Sequence, residues 1–300
     1  MSFTDKIRKI DIHSHATAFH AYYPPHRNGL VFVSPEEVLA LYDKLNIEKG
    51  VLLPLVSPEA QMAPMTSEAC KFISDQYPDR FAWFCGIDPR ALDFTPHTDL
   101  SYLLLHYRAL GARGVGELTT PIYADDPHME NLFAACAECD MPILFHMTNG
   151  IGGTYGIVDE AGLRRIEKML KKYPKLKLIG HSQSFWSEIS ADVTDETRGG
   201  YPQGKITDGR LIALLRECEN LYCDLSAGSG FNALARDEES GLNFLNHFQD
   251  KLMFGCDFCR PGDIGKLAMW LDQKYTEGCI PETVYQKVCR ENALRILKID

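Results

Sequence analysis

The sequence predicts an α/β protein built as a single (β/α)8 barrel. Three observations predict it. Eight short apolar or β-branched runs alternate with longer amphipathic stretches, the pattern of parallel strands joined by helical crossovers. Eight such units suit a chain of 300 residues, whereas a doubly wound sheet of about six strands would leave two unused. No linker, low-complexity run or internal repeat interrupts the chain, so residues 1–300 read as one domain.

In order, the predicted strands cover residues 9–13, 50–56, 81–87, 112–118, 142–147, 176–181, 220–225 and 251–255, each bounded by turn residues or charges. Between them, Pro35–Leu45 carries apolar Val38, Leu39, Leu41, Tyr42 and Leu45 at helical spacing. Ser34-Pro35-Glu36-Glu37 supplies its N-cap, a proline in the first turn and a capping-box glutamate. Residues 130–139 and 163–170 repeat the helical pattern, Asp126-Pro127 opens a helix, and residues 281–297 close the chain as another. Three segments exceed the usual connection of about 2–6 residues: 16–33, 182–207 and 226–239. All follow the C-terminal ends of strands, the catalytic face of such a barrel. With Tyr22, Tyr23, Phe185, Trp186 and Tyr201 they read as walls or lids of a pocket.

Composition narrows the function classes. Apolar residues make up 45% and charged residues 24%, which excludes disorder as the dominant state. The net charge of −10 argues against nucleic-acid and anionic-membrane binding, which need a basic surface. The N-terminus lacks an apolar signal core, and no run of about 18 apolar residues could span a bilayer. The 10 cysteines are expected as reduced thiols, and the protein as cytoplasmic.

The chemistry concentrates at strand ends. His13 and His15 close the first strand, where residues two apart point to one face. Glu117, His146, His181 and Asp257 each follow a buried apolar run at the ends of the fourth, fifth, sixth and eighth strands. Their separations all suit whole βα units, so six polar groups fall on one rim. Buried imidazoles and carboxylates need partners. A shared divalent metal is the simplest common partner, and this ligand type suits zinc, manganese, iron or cobalt.

The segments DIHSH, GVGELTTPIYADDP, ILFHMTNGIGGTYG, LIGHSQSFW and LMFGCDF resemble the amidohydrolase superfamily. More narrowly, they resemble its amidohydrolase-related branch, which includes aminocarboxymuconate-semialdehyde decarboxylase-like enzymes. The resemblance spans nearly the whole chain. It implies a TIM barrel with His13, His15, His146 and Asp257 as metal ligands. It also implies His181 as a catalytic group beside the metal in one-metal members, and as a ligand in two-metal members. Glu117 stands where two-metal TatD-like deoxyribonucleases carry a Gly-Glu motif, and is a further candidate ligand. No lysine stands at that strand end to form a carboxylated bridge. One ion is favoured over two, with Zn2+ expected first and Mn2+ as the alternative.

Such an ion lowers the pKa of bound water towards about 7. The leading expectation is therefore a hydrolase that attacks a small-molecule amide, ester or lactone with metal-activated water. Asp257 would move the proton, and His181 would polarise the carbonyl or orient the nucleophile. Nonoxidative decarboxylation of an aromatic or unsaturated acid is the alternative, and a non-catalytic binding barrel a third. Arg27, His26 and Arg260 lie on or beside rim loops, where a guanidinium suits a substrate carboxylate. Tyr155 and Trp186 would stack on a flat substrate. Asp224, at the end of the seventh strand, could contact substrate or a ligand. The expected partners are a small-molecule substrate and a second copy in a homodimer, with neither nucleic acid nor membrane.

Overall fold

The structure, a computed structural model, describes residues 7–25, 31–60 and 65–299. The strands are β1 (Lys9–Ser14), β2 (Ile47–Leu52), β3 (Phe81–Trp83), β4 (Val115–Leu118), β5 (Ile143–Thr148), β6 (Ile157–Val158), β7 (Leu178–His181), β8 (Leu221–Asp224) and β9 (Leu252–Met253). Pairing is parallel throughout, in the orders β1-β2-β3 and β4-β5-β7-β8-β9, with β6 a short addition beside β5. A parallel bridge between Cys85 and Val115 joins β3 to β4. At the other seam Ile12 N donates to Phe254 O at 3.1 Å, Asp257 N donates to His13 O at 2.8 Å, and Ser14 bridges Phe258. Eight strands thus form the (β/α)8 circuit that the alternation predicts.

Every predicted strand is present, several of them shorter than expected. The barrel cluster of Ile10, Ile12, Val51, Leu53, Phe84, Leu144, Ile179 and Met253 is buried, and the C-terminal residues Ala293, Ile296, Leu297 and Ile299 pack onto it. The helix Pro35–Leu45 begins as its sequence dictates, with a complete capping box between Ser34 and Glu37. Asp126 caps Pro127–Glu138. The closing helix is divided by a π turn, Lys287–Glu291, between Glu282–Gln286 and Asn292–Leu297.

One long connection is corrected. The segment expected as a loop over 226–239 folds into the helix Ala227–Ala235 and enters a second, Glu238–Phe248. The stretch AGSGFNALA has low intrinsic helix propensity, so its helix depends on packing Gly230, Ala233 and Leu234 inward. Residues 182–207 contain only the short turns Gln183–Trp186 and Ser187–Ile189. Arg198 holds this segment down. Its buried guanidinium donates to Asp159 O at 2.6 Å and Ser184 O at 3.1 Å, and lies 3.3 Å from Glu188. Among the described residues no helix is long and apolar enough to cross a membrane, and all ten cysteines are free.

Candidate metal centre

β1 delivers two imidazoles to one point. His13 Nε2 and His15 Nε2 lie 3.1 Å apart, and both side chains are buried. The spacing of two residues succeeds although the β1–β2 register shifts between Asp11 and Ser14. Asp11 fixes the strand end. Its Oδ1 accepts from His13 N and from Cys256 N, each at 2.9 Å, and its Oδ2 accepts from Tyr42 OH at 2.7 Å. One carboxylate therefore ties β1 to the chain that carries Asp257. Burial pushes the Asp11 carboxyl up to about 7, against these three hydrogen bonds.

β4 brings in Glu117. Gly116 precedes it at φ +145°, where an added Cβ would stand 2.5 Å from Leu144 O, so glycine lets β4 pass close to β5. Glu117 Oε2 lies 3.4 Å from His15 Nε2 and 3.6 Å from His13 Nε2. Its other oxygen, Oε1, is 2.8 Å from His146 Nδ1 at the end of β5. Asp257 follows β9 in the left-handed region at φ +57°, which aspartate tolerates better than most residues. Its Oδ1 lies 3.5 Å from the Nε2 of both His13 and His15.

The tautomers leave this cluster short of a positive charge. His15 Nδ1 lies 2.9 Å from Leu53 O, and a carbonyl only accepts, so the proton sits on Nδ1 and Nε2 is bare. His13 Nδ1 lies 2.6 Å from Asp224 Oδ2. The two ring nitrogens lie 3.1 Å from each other, 3.4–3.6 Å from Glu117 Oε2 and 3.5 Å from Asp257 Oδ1. A tetrahedral shell with bonds of about 2.0–2.1 Å has edges of about 3.3–3.4 Å. The donor set fits a divalent cation. Burial disfavours charge on His13, yet Asp257, Asp224 and Glu117 outweigh it and hold its pKa well above the ordinary value. Burial likewise opposes ionisation of Glu117, but His13 and the hydrogen bonds from His13 and His146 hold it well below the carboxylate range. In His146 burial prevails over Glu117 and lowers the pKa.

His181 stands beside the cluster, its Nε2 3.9 Å from Asp257 Oδ2. Glu117, His146 and His181 also fall close enough together to hold an ion. His146, His181 and Asp257 form one end of a cavity of about 680 Å3. Tyr155, Tyr201 and Phe231 stand along its walls, and Arg260 and Lys266 on its rim.

The six rim residues expected from the sequence therefore meet. Tyr155 lines the cavity as expected, its ring 4.6 Å from that of His146. Arg260 reaches the rim with a largely exposed side chain, 3.5 Å from Asp263. Trp186 is a correction: it is 2% exposed, lies outside the cavity lining and donates from Nε1 to Asp224 O at 2.9 Å. Its indole packs against Phe185 and Phe244 as core, which leaves no face for a substrate. His26 and Arg27 lie outside the described residues. Sequence reasoning missed Ser226, the tie made by Asp11 and the wall residue Phe231. The position of Asp224 at a strand end did carry a signal of its place in the site.

Fold and site together define a (β/α)8 barrel with a centre suited to a divalent cation at its C-terminal strand ends. Residues 10–299 match the model of the amidohydrolase family Amidohydro_2, and the chain belongs to that family. No curated protein matches the sequence. Among solved structures, an uncharacterized TIM-barrel protein from Bordetella bronchiseptica is similar at 18% identity and a TM-score of 0.67, over 97% of this chain and 99% of that one. The 2,6-dihydroxybenzoate decarboxylase from Rhizobium is similar at 15% and 0.59, over 97% and 99%. The 5-carboxyvanillate decarboxylase from Novosphingobium aromaticivorans, complexed with manganese and 4-hydroxy-3-methoxy-5-nitrobenzoic acid, is similar at 16% and 0.61, over 98% and 97%. At these identities the likeness shows the fold.

Proposed function

We propose that this chain is a metal-dependent nonoxidative decarboxylase of an aromatic carboxylic acid. The observation that carries the reading is the cavity itself, lined by the aromatic rings of Tyr155, Tyr201 and Phe231, by the cations Arg260 and Lys266, and by Asp257 of the cation centre. Flat rings suit those walls, and Arg260 suits an anionic substituent. The two decarboxylases of the same fold add support. They shift the weight from hydrolysis of an amide, ester or lactone, the leading expectation from the sequence, to its alternative.

One ion, Zn2+ or Mn2+, would be held by His13, His15, Glu117 and Asp257. When bound, it supplies Lewis-acid stabilisation of charge on the substrate's oxygens. His146 then serves to orient Glu117 through the 2.8 Å contact, rather than as the ligand the resemblance implies. His181 presents Nε2 towards the cavity, where it takes up a proton from solvent before the bond breaks and hands it to the ring carbon. As the bond from the ring carbon to the carboxylate breaks, its electron pair takes up that proton, and carbon dioxide leaves.

The test is a panel of hydroxylated aromatic acids incubated with metal-loaded protein. The expected result is carbon dioxide release without incorporation of 18O from labelled water into the organic product. Water-derived oxygen in that product would favour hydrolysis instead. His181→Asn should retain the metal and lose turnover by about 10²–10⁴-fold.

A further inference from the structure

Behind the centre, one buried carboxylate serves two histidines. Asp224 ends β8 and is fully buried. Its Oδ2 lies 2.6 Å from His13 Nδ1, 3.0 Å from His181 Nδ1 and 2.7 Å from Ser226 Oγ. Its Oδ1 accepts from Ser226 N at 2.9 Å. The two imidazoles stand with centroids 4.4 Å apart, tilted at 54°.

The surroundings are shaped to keep this arrangement. An added Cβ on Gly255 would stand 2.6 Å from Asp224 Oδ1 and 2.8 Å from Ser226 Cβ, so only glycine leaves room for the carboxylate. Trp186 Nε1 donates to the Asp224 carbonyl and fixes its backbone from below. Because Asp224 is fully buried, each short contact to Oδ2 needs a hydrogen between its two heavy atoms. A bare ring nitrogen there would set lone pair against lone pair.

We propose that Asp224 is a positioning residue that locks both His13 and His181 as Nδ1–H tautomers. In the cation-loaded protein that tautomer leaves the Nε2 lone pair of His13 for the cation and that of His181 for the cavity. One carboxylate thereby couples cation affinity to the state of the proton-carrying histidine. Carboxylates that hold the far nitrogen of a ligating imidazole are worth about 10–100-fold in metal affinity. Sharing the group between a ligand and a non-ligand makes the two respond together. The proposal holds for hydrolysis as for decarboxylation, because it concerns the resting tautomers alone.

Ser226 supplies the competing arrangement. Its hydroxyl lies 3.0 Å from His181 Nδ1 and 3.2 Å from His13 Nδ1. It could donate to a bare His181 Nδ1, and that ring would then carry its proton on Nε2.

The experiment needs no substrate. Two-bond 1H–15N spectra of the Zn2+-saturated protein, with the rings assigned through His13→Gln and His181→Gln, report the tautomers directly. The expected result is Nδ1–H for both rings. A proton on Nε2 of His181 would overturn the proposal without any Asp224 variant having to fold. Asp224→Asn keeps one acceptor but replaces the other with a donor. Its Zn2+ affinity, measured by competition with a chromophoric chelator, should fall about 10–100-fold. His181 should also lose its fixed tautomer, while Ser226→Ala retains both properties. Unchanged affinity and unchanged His181 signals in Asp224→Asn would sink the idea.

Discussion

His13 Nε2 and His15 Nε2 face each other at 3.1 Å, and the proton of His15 is committed to the Leu53 carbonyl on the other side of its ring. Two acceptors at that distance repel unless a positive charge lies between or beside them. In the metal-free protein a proton on His13 can serve, and the surrounding carboxylates hold it there. A divalent cation would serve better, and would have to displace that proton.

Cation affinity should therefore rise with pH. While His13 keeps its proton, binding of Zn2+ or Mn2+ releases about one proton, and the apparent affinity climbs about tenfold per pH unit. Chelator competition at three pH values around neutrality measures this. An affinity that does not change over that interval would contradict the assignment of His13 as a ligand.

Glu117 and His146 should separate by metal content. Glu117→Gln removes a carboxylate from the converging set and should leave purified protein largely metal-free. His146→Asn removes only the partner of Oε1 and should weaken binding by about 10–100-fold. Elemental analysis of the wild type should give about one equivalent. Two equivalents would instead make His146 and His181 ligands of a second ion shared through Glu117.

Asp11 gives the metal-free protein a pH-dependent stability term. Its folded pKa of about 7 exceeds the ordinary value of 3.8. Between those values the folded chain holds a proton that the unfolded chain lacks. The contribution is complete below the unfolded pKa and is lost as pH rises through about 7. Asp11→Asn keeps an oxygen for His13 N and Cys256 N but cannot ionise. Urea unfolding at pH 5 and pH 8 should show a smaller decline in the variant than in the wild type. Equal declines would remove Asp11 as the source.

Arg198 is the fastening of the segment that carries Tyr201 to the cavity wall. Replacing it by methionine removes its hydrogen bonds to Asp159 O and Ser184 O and leaves the buried Glu188 carboxylate with the Gly162 N–H but without its cation. The expected loss is about 3–5 kcal/mol, the scale for breaking one side of a buried ion pair. Urea unfolding measures the loss, and limited proteolysis should place new cuts between residues 190 and 206. A variant as stable as the wild type would show that the contacts of Arg198 are energetically idle.

The sequence by itself determined the barrel and its rim. Period-two and period-3.6 patterns report which face of each element is buried, and eight of them in alternation leave few architectures. Strand ends are local features too, so His13, His15, Glu117, His146, His181 and Asp257 could each be placed on one rim from their own neighbourhoods. Tertiary structure alone decided which of their atoms approach one another. Whether Glu117 or His146 turns an atom towards His13 depends on how β4 and β5 sit side by side. That spacing is set by Gly116 against Leu144. Trp186 read as a cavity wall because its loop leaves a strand end, yet it is buried beneath Asp224. The helix Ala227–Ala235 carries Gly228, Ser229, Gly230 and Asn232 in its interior and owes its form to the surface it covers. Asp224 shows the limit most plainly. It lies more than 200 residues from His13 along the chain, and only closure of the barrel brings its carboxylate to 2.6 Å from that ring.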